Sequence, residues 1–237
     1  MKKFIFFLVE GNNDKREIQA ILRATCGCSF TDNYVDVFHV HKGDITSERD
    51  SNEKTIIGKI NKIILEWRNG GEQPYQRIVP SDVAKIIHVI DTDGVFIPSY
   101  AVVQTDDAKA QYKESVIEYY NRDELVGRNR KKARVIKRLL QTKRIDNIPF
   151  EVYFASCNMD HLLFNNQNPD RAEKGEKSFE FARLCKSKEY LLDSIFASGI
   201  CAEGSYEKSW EMIQAGINSL HRHTNINLLL EKMDHLK

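Results

Sequence analysis

The chain is predicted to fold as an α/β protein, a mostly parallel sheet flanked by helices with an α-helical extension at its C-terminal end. Three observations carry this reading. Apolar runs at Phe4 to Val9, Lys85 to Ile90 and Phe150 to Ala155 have the length and composition of buried strands. Segments of helical periodicity separate them, which implies parallel pairing through crossover helices. The last third shows helical patterning alone. At 237 residues, with 41% apolar and 29% charged, the chain is long enough for a substantial core and is balanced like a globular protein rather than a disordered one.

Taken in order, Phe4 to Val9 is the first strand, and Asp14 to Ala24 follows with Ile18, Ile21 and Leu22 at helical spacing. Tyr34 to Val40 alternates Val35, Val37 and Val40 with polar neighbours and reads as the second strand; Gly43 marks the turn after it. From Lys54 to Trp67, the residues Ile56, Ile57, Ile60, Ile63, Ile64 and Trp67 recur every three or four positions. That spacing gives an amphipathic helix, ended by Asn69-Gly70-Gly71, with Pro74 and Pro80 in the connection that follows. The strand Lys85 to Ile90 runs into Asp91-Thr92-Asp93-Gly94. Pro98 opens an insertion, for which helices are expected over Asp107 to Tyr120 and Arg128 to Thr142. Phe150 to Ala155 leads through Ser156-Cys157-Asn158 into a helix near Met159 to Phe164. Helices over Phe179 to Cys185, Glu189 to Phe196, Tyr206 to Leu220 and Asn227 to Leu236 complete the chain. The expected organisation is a core over 1–165, with a basic helical insertion at about 98–145, and a helical extension over 166–237.

No segment approaches the roughly 18 uninterrupted apolar residues of a membrane span. Met1-Lys2-Lys3 and the apolar run after it resemble a signal peptide, but Glu10 and Asp14 interrupt the pattern, so the run is read as a strand and the protein as cytoplasmic. The five cysteines, Cys26, Cys28, Cys157, Cys185 and Cys201, lack paired zinc-site spacing and are read as reduced thiols.

Two acidic stations carry the chemistry. Val9-Glu10-Gly11-Asn12-Asn13-Asp14 closes the first strand and Asp91-Thr92-Asp93 closes a later one, about eighty residues on. Both fall where strands leave a parallel sheet, the edge at which open α/β folds build their sites. Glu10 either caps the following helix or faces the site, and Asp14 suits a cap. Gly11 permits a tight turn and close backbone approach to a phosphate. Asp91 and Asp93, at alternate positions of extended backbone, would face one side together. Carboxylate oxygens are hard ligands suited to Mg²⁺, so the inferred chemistry is metal-assisted work on phosphodiesters.

The segments "FLVEGNNDKREI" and "IIHVIDTDG" resemble the glutamate and DxD motifs of the Toprim domain, found in topoisomerases, DnaG-type primases and OLD-family nucleases. A third segment, "YFASCNMDHLLFN", is similar to a strand-to-helix segment of the standalone OLD-family and RloB-like Toprim proteins associated with defence against phage. It has Cys157-Asn158 where that group often has Asn-Pro, and Asp160 where it often has Glu. The resemblance covers roughly residues 1–165. It implies a Toprim-like (Rossmann-like) fold, Glu10 as metal-linked general acid or base, Asp91 and Asp93 as ligands of Mg²⁺ or Mn²⁺, and Asp160 as a further acid for a second metal. Topoisomerase and primase activities need modules for which the chain leaves little room, so the implied activity is nucleolytic, on DNA or RNA.

Charge supports a nucleic-acid partner. The formal net charge is only +1, yet Arg128, Arg130, Lys131, Lys132, Arg134, Lys137, Arg138, Lys143 and Arg144 follow one another without an acidic residue. At helical spacing Arg130, Lys131, Arg134, Lys137 and Arg138 share a face, able to hold several phosphates. Lys42, at the end of the second strand, is a further candidate phosphate contact. His39 and His41 share a strand face and are read as polar surface. His161 follows Asp160 on a helix.

Two other functions fit part of the pattern. "VIDTDGVF" also suits a haloacid-dehalogenase-type phosphatase, in which Asp91 attacks phosphorus and Asp93 acts as acid or base. That reading leaves Glu10 without a role. A non-catalytic Toprim subunit docking to an ATPase is the other. The chain carries no phosphate-binding loop of its own, Gly175-Glu176-Lys177-Ser178 lacking the arrangement, so the ATPase would be a separate subunit docking on the helical extension. A homo-oligomer is also among the expected assemblies.

Overall fold

The run Phe4–Val9 is apolar at every position because both of its faces are covered, as expected of a central strand in a parallel sheet. The computed structural model describes residues 4–26, 30–31, 34–35, 38–43, 45–48, 50–70, 78–196 and 199–234. Met1 to Lys3, Cys28, Val37, Gly71, Pro74 and Leu236 lie outside the described residues.

The chain runs through β1 (Phe4–Val9), α1 (Asn12–Cys26), β2 (Phe30–Thr31), β3 (Tyr34–Val35), β4 (Phe38–Lys42), α2 (Ile56–Arg68) and β5 (Val83–Asp91). An insertion follows with β6 (Val102–Gln104), β7 (Gln111–Tyr112) and β8 (Ile117–Tyr119). Next come α3 (Arg122–Gln141), β9 (Arg144–Ile145), β10 (Ile148–Ala155) and α4 (Met159–Phe164), then α5 (Arg171–Leu184), α6 (Lys188–Ser194), α7 (Tyr206–Ile213) and α8 (Ile226–Asp234).

The main sheet has the order β2-β3-β4-β1-β5-β10-β9. Its centre, β4-β1-β5-β10, is parallel, and the edge pairings are antiparallel. On one face Phe7, Val9, Ile87, Val89 and Tyr153 pack against α1, α4, α5, α6 and α8. On the other, Phe6, Leu8, Ile86, Ile90 and Phe154 pack against α2, α3 and α7. The helices after residue 166 thus cover both faces of the sheet. Crossover through α1 carries the chain from β1 outward to β4, whereas crossover through α3 carries it from β5 outward to β10. The order therefore reverses between β1 and β5, and a crevice opens at their C-terminal ends, where such folds bind ligands.

Several expectations are corrected. Tyr34 to Val40 is not one strand, since β3 and β4 pair antiparallel with Tyr34 opposite His39 and Val35 opposite Phe38. The helix expected over Tyr206 to Leu220 ends at Ile213, and a 3-10 turn follows at Asn218–Leu220. Asp107 to Tyr120 is not a helix: β6, β8 and β7 form a separate three-stranded sheet over Ile97, Ala101, Val102, Ile117, Leu125 and Leu220. Its β-branched and aromatic residues favour the pleated surface. His39 and His41 are not a polar strand face. His39 is buried and stacks on Trp67 with ring centroids 4.9 Å apart, and Phe6 packs against both histidines. Among the described residues no helix is long and apolar enough to cross a membrane. Cys26, Cys157, Cys185 and Cys201 are free thiols.

Candidate active site

Glu10 leaves β1 and Asp91 ends β5, so adjacent parallel strands bring residues far apart in sequence to one crevice. Asp93 joins them through an unusual backbone. Its φ is +49°, a left-handed conformation that Asp tolerates better than most residues. Its amide donates to Cys157 O at 2.7 Å, and Thr92 N donates to Ala155 O at 3.1 Å, so the end of β10 holds the turn. Gly94, at φ +63°, completes it. That left-handed conformation favours glycine, and a Cβ there would stand 2.6 Å from the Leu220 side chain and 3.0 Å from that of Ile117, which would have to shift.

The side chain that organises these acids is one that the helical pattern alone hid. Lys132, 2% exposed, points inward from α3, and its Nζ donates to Asp93 Oδ2 at 2.6 Å, Glu10 Oε1 at 3.3 Å and Ser47 Oγ at 3.2 Å. Thr46 Oγ1 donates to the same Glu10 oxygen at 2.6 Å. Burial works against the ammonium, but the charges of Asp93 and Glu10 outweigh it and raise its proton affinity above the ordinary lysine range. Lys132 stands in register with Leu125, Asn129, Ile136 and Leu139, all on the buried stripe of the helix. That register was the available signal, since a lysine among core positions needs a buried partner.

A second acid group lies on the α1 side. Asp14 Oδ2 accepts from Gly11 N at 2.7 Å, which makes Asp14 the helix cap and occupies the amide expected to meet a phosphate. Asp160 pairs with Lys174 at 2.9 Å. Glu17, 1% exposed, has an Oε1 without a hydrogen-bond partner among the described residues. Burial and the neighbouring charges of Asp14 and Asp160 push Glu17 up to about 8. Asp14 is likewise raised, by burial and then by Asp160.

Asp91 lies between the two groups. Its Oδ1 accepts from Met159 N at 2.9 Å, at the start of α4. Desolvation, followed by the charges of Asp14, Glu10 and Asp93, raises it well above the carboxylate range. The crevice therefore holds more carboxylates than its lysines neutralise.

The expected tripod of Glu10, Asp91 and Asp93 on one ion is not preformed. Among the described residues no group of three or more His, Cys, Asp or Glu is arranged to hold a metal, because the Lys132 ammonium bridges Glu10 and Asp93 while Asp91 turns to Met159. Asp160 is paired with Lys174 and acts electrostatically on Asp14. The donor set still suits a divalent cation in kind: hard oxygens, unneutralised charge, and a central carboxyl whose proton affinity like charges have raised.

Of the basic residues, Arg130, Arg134, Lys137 and Arg138 are exposed along α3, and Lys131 is half-buried with its Nζ 3.4 Å from Glu48 O. Arg128 turns toward the crevice. It donates to Tyr112 Oη at 3.3 Å and lies within the electrostatic influence of Asp93. Lys42 is exposed at the end of β4, beside Val9 in register. His161 accepts from Cys157 N through Nδ1 at 3.3 Å, and burial lowers it to about 4, so it is a neutral structural group.

The chain matches no known protein family, no curated protein and no solved structure.

Proposed function

We propose that the protein is a divalent-cation-dependent, Toprim-type nuclease that hydrolyses phosphodiester bonds of DNA or RNA and serves in defence against phage. One observation carries the reading: Glu10 and Asp93, about eighty residues apart, share a single buried cation, the Lys132 ammonium, beside Asp91 at the point where the strand order reverses. The exposed face of Arg130, Arg134, Lys137 and Arg138 supports a polyanionic substrate alongside.

Mg²⁺ or Mn²⁺, held by Glu10, Asp91 and Asp93 with Asp14 and Asp160 toward a second position, would supply an activated water and neutralise charge on the phosphate. The remaining work falls to the chain. Lys132, with its raised proton affinity, is a poor acid and acts as a fixed positive charge toward phosphate oxygens. Burial and the neighbouring carboxylates favour the protonated form of Asp91, and a cation held beside it would favour the ionised one. Thr46 and Ser47 orient Glu10 and Lys132.

The phosphatase alternative asks Asp91 to be a nucleophile, and a carboxyl of raised proton affinity tied to Met159 N is poorly prepared for that. Incubation of labelled DNA and RNA with Mg²⁺ or Mn²⁺ tests the proposal, with Glu10→Gln and Asp91→Asn as controls. Cation-dependent cleavage abolished by both substitutions is expected. Cleavage that survives them would reject this site, and a trapped aspartyl-phosphate would favour the phosphatase. If an ATPase partner is needed, cleavage appears only on its addition.

A further inference from the structure

Resting on the nuclease reading, we propose that Lys132 is a displaceable counter-ion, so that the crevice takes its divalent cation together with a phosphodiester and holds the cation only weakly alone. Lys132 is then a positioning residue that couples two ligands. The ammonium already does the work of a bound cation. Its Nζ donates to Asp93 Oδ2 at 2.6 Å, Glu10 Oε1 at 3.3 Å and Ser47 Oγ at 3.2 Å, which occupies every proton that the ammonium has to give.

This bridge is what keeps the carboxylates from one another. Glu10 and Asp93 are turned to the lysine and Asp91 to Met159 N, so among the described residues no group of three stands arranged to hold a metal. Gathering Glu10 and Asp93 onto one ion requires the bridge to open at one end at least. The longer Glu10 contact is the weaker end.

An opened bridge leaves a cost at the lysine. Its side chain is buried, and a buried ammonium that loses a charged partner is destabilising unless another anion takes its place. Asp91, the third carboxylate whose charge acts on Lys132, is one that the ion also needs, and the Ser47 hydroxyl is neutral. The open side is the one on which Ser47 lies, since Ser47 is exposed whereas Thr46, which donates to Glu10, is buried. A phosphodiester arriving there supplies the missing acceptor. Its oxygens take the ammonium, which keeps its charge throughout, and the carboxylates pass to the divalent ion. Each ligand thereby tightens the other by the same factor, and the hydrolytic centre is completed only where a phosphodiester is present.

The test reads binding rather than cleavage. Mn²⁺ affinity is measured by electron paramagnetic resonance of the free ion, with and without dimethyl phosphate, for wild type, Lys132→Met and Lys132→Gln. Lys174→Met, which removes a like charge from the Asp160 pair, controls for charge alone. In wild type, dimethyl phosphate is expected to tighten Mn²⁺ by about tenfold. Both Lys132 variants should bind Mn²⁺ about tenfold more tightly than wild type without phosphate and gain little from its addition. Lys174→Met should keep the wild-type coupling. A lysine that only holds the fold together gives the opposite sign, weaker Mn²⁺ binding in both Lys132 variants. That result, or the same phosphate dependence with and without Lys132, overturns the proposal. If neither Lys132 variant folds, wild type decides: phosphate-coupled Mn²⁺ binding supports the proposal, and equal binding with and without dimethyl phosphate overturns it. The nuclease reading is tested apart, by cation-dependent cleavage and its loss in Glu10→Gln. Coupling without cleavage keeps the paired site and removes the nuclease, whereas cleavage without coupling keeps the nuclease and removes this role of Lys132.

Discussion

The two ends of the central strands carry ionised clusters of opposite character. Toward the N-terminal ends of β5 and β10, Glu151 accepts from Lys85 at 2.9 Å and from Tyr153 Oη at 2.6 Å, with Lys232 3.6 Å away. Burial there works to raise Glu151, but the Tyr153 and Lys85 hydrogen bonds and the lysine charges outweigh it and hold the carboxyl below its ordinary range. At the C-terminal ends the balance reverses. Glu10, Asp14, Glu17, Asp91, Asp93 and Asp160 face Lys132 and Lys174, and Asp14, Glu17 and Asp91 are all raised. Folding alone satisfies the first cluster. The second keeps surplus negative charge, which raises the proton affinity of Asp14, Glu17 and Asp91, and groups perturbed in this way cluster at functional sites.

The largest break in this contrast is expected from Lys132→Met. Removing the ammonium leaves Glu10 and Asp93 facing each other in a desolvated site, which costs roughly 3–5 kcal/mol when one partner of a buried pair is lost. Urea unfolding in EDTA should show that loss, with part of it recovered in Mg²⁺ as the freed carboxylates take a cation. A variant as stable as wild type in EDTA would mean that the lysine does not hold the crevice together.

Next in size is the pH dependence without divalent ions. Glu17 sits at about 8 in the fold against an ordinary 4.5, so its contribution is fully present below 4.5 and is lost as pH rises through about 8. Stability should fall across that window by a few kcal/mol at most, at about 1.4 kcal/mol per unit, and Glu17→Gln should flatten the slope. His39 and His88 act with the opposite sign. Burial holds each at about 3 against 6.5, so their contribution is present above 6.5 and lost as pH falls toward 3. That acid limb should persist in Glu17→Gln. An alkaline slope unchanged by the substitution would remove Glu17 from the account.

Divalent cations should separate the two ends directly. Mg²⁺ or Mn²⁺ at 100-fold its dissociation constant stabilises a folded protein by about 2.7 kcal/mol. A thermal shift of that order is expected for wild type and should vanish in Asp91→Asn. The same shift in both proteins would place the ion elsewhere.

Much of this was legible in the sequence, and the gaps have physical causes. β1, β5 and β10 declare themselves because strands covered on both faces must be apolar throughout, and Met159–Phe164 declares its helix through the Asn158 cap, whose side chain accepts from His161 N. Glu10, Asp91 and Asp93 follow from strand ends alone. Lys132 did not, since a run of cations hides one whose partners are distant in sequence; only its register with Leu125, Ile136 and Leu139 separates it from Lys131. The insertion was misread because Tyr112, Ile117 and Tyr119 lie on strands of two or three residues, too short to establish a period. The two-group division of the acids was beyond reach, because it depends on α5 bringing Lys174 to Asp160.

The smallest effect belongs to the balanced end, and it tests whether balance is the right word. Lys85 and Glu151 retain side-chain exposures of 31% and 27%, so water screens their attraction and the pair should contribute no more than about 1 kcal/mol. In Glu151→Gln the amide oxygen still accepts from Tyr153 Oη, and only the charge is lost. Stability should drop by that small amount, equally in EDTA and in Mg²⁺, because no cation binds there. If the cost instead depended on Mg²⁺, charge at one end of β10 would be felt at the other, and the acid crevice and the Glu151 cluster would have to be treated as one coupled system.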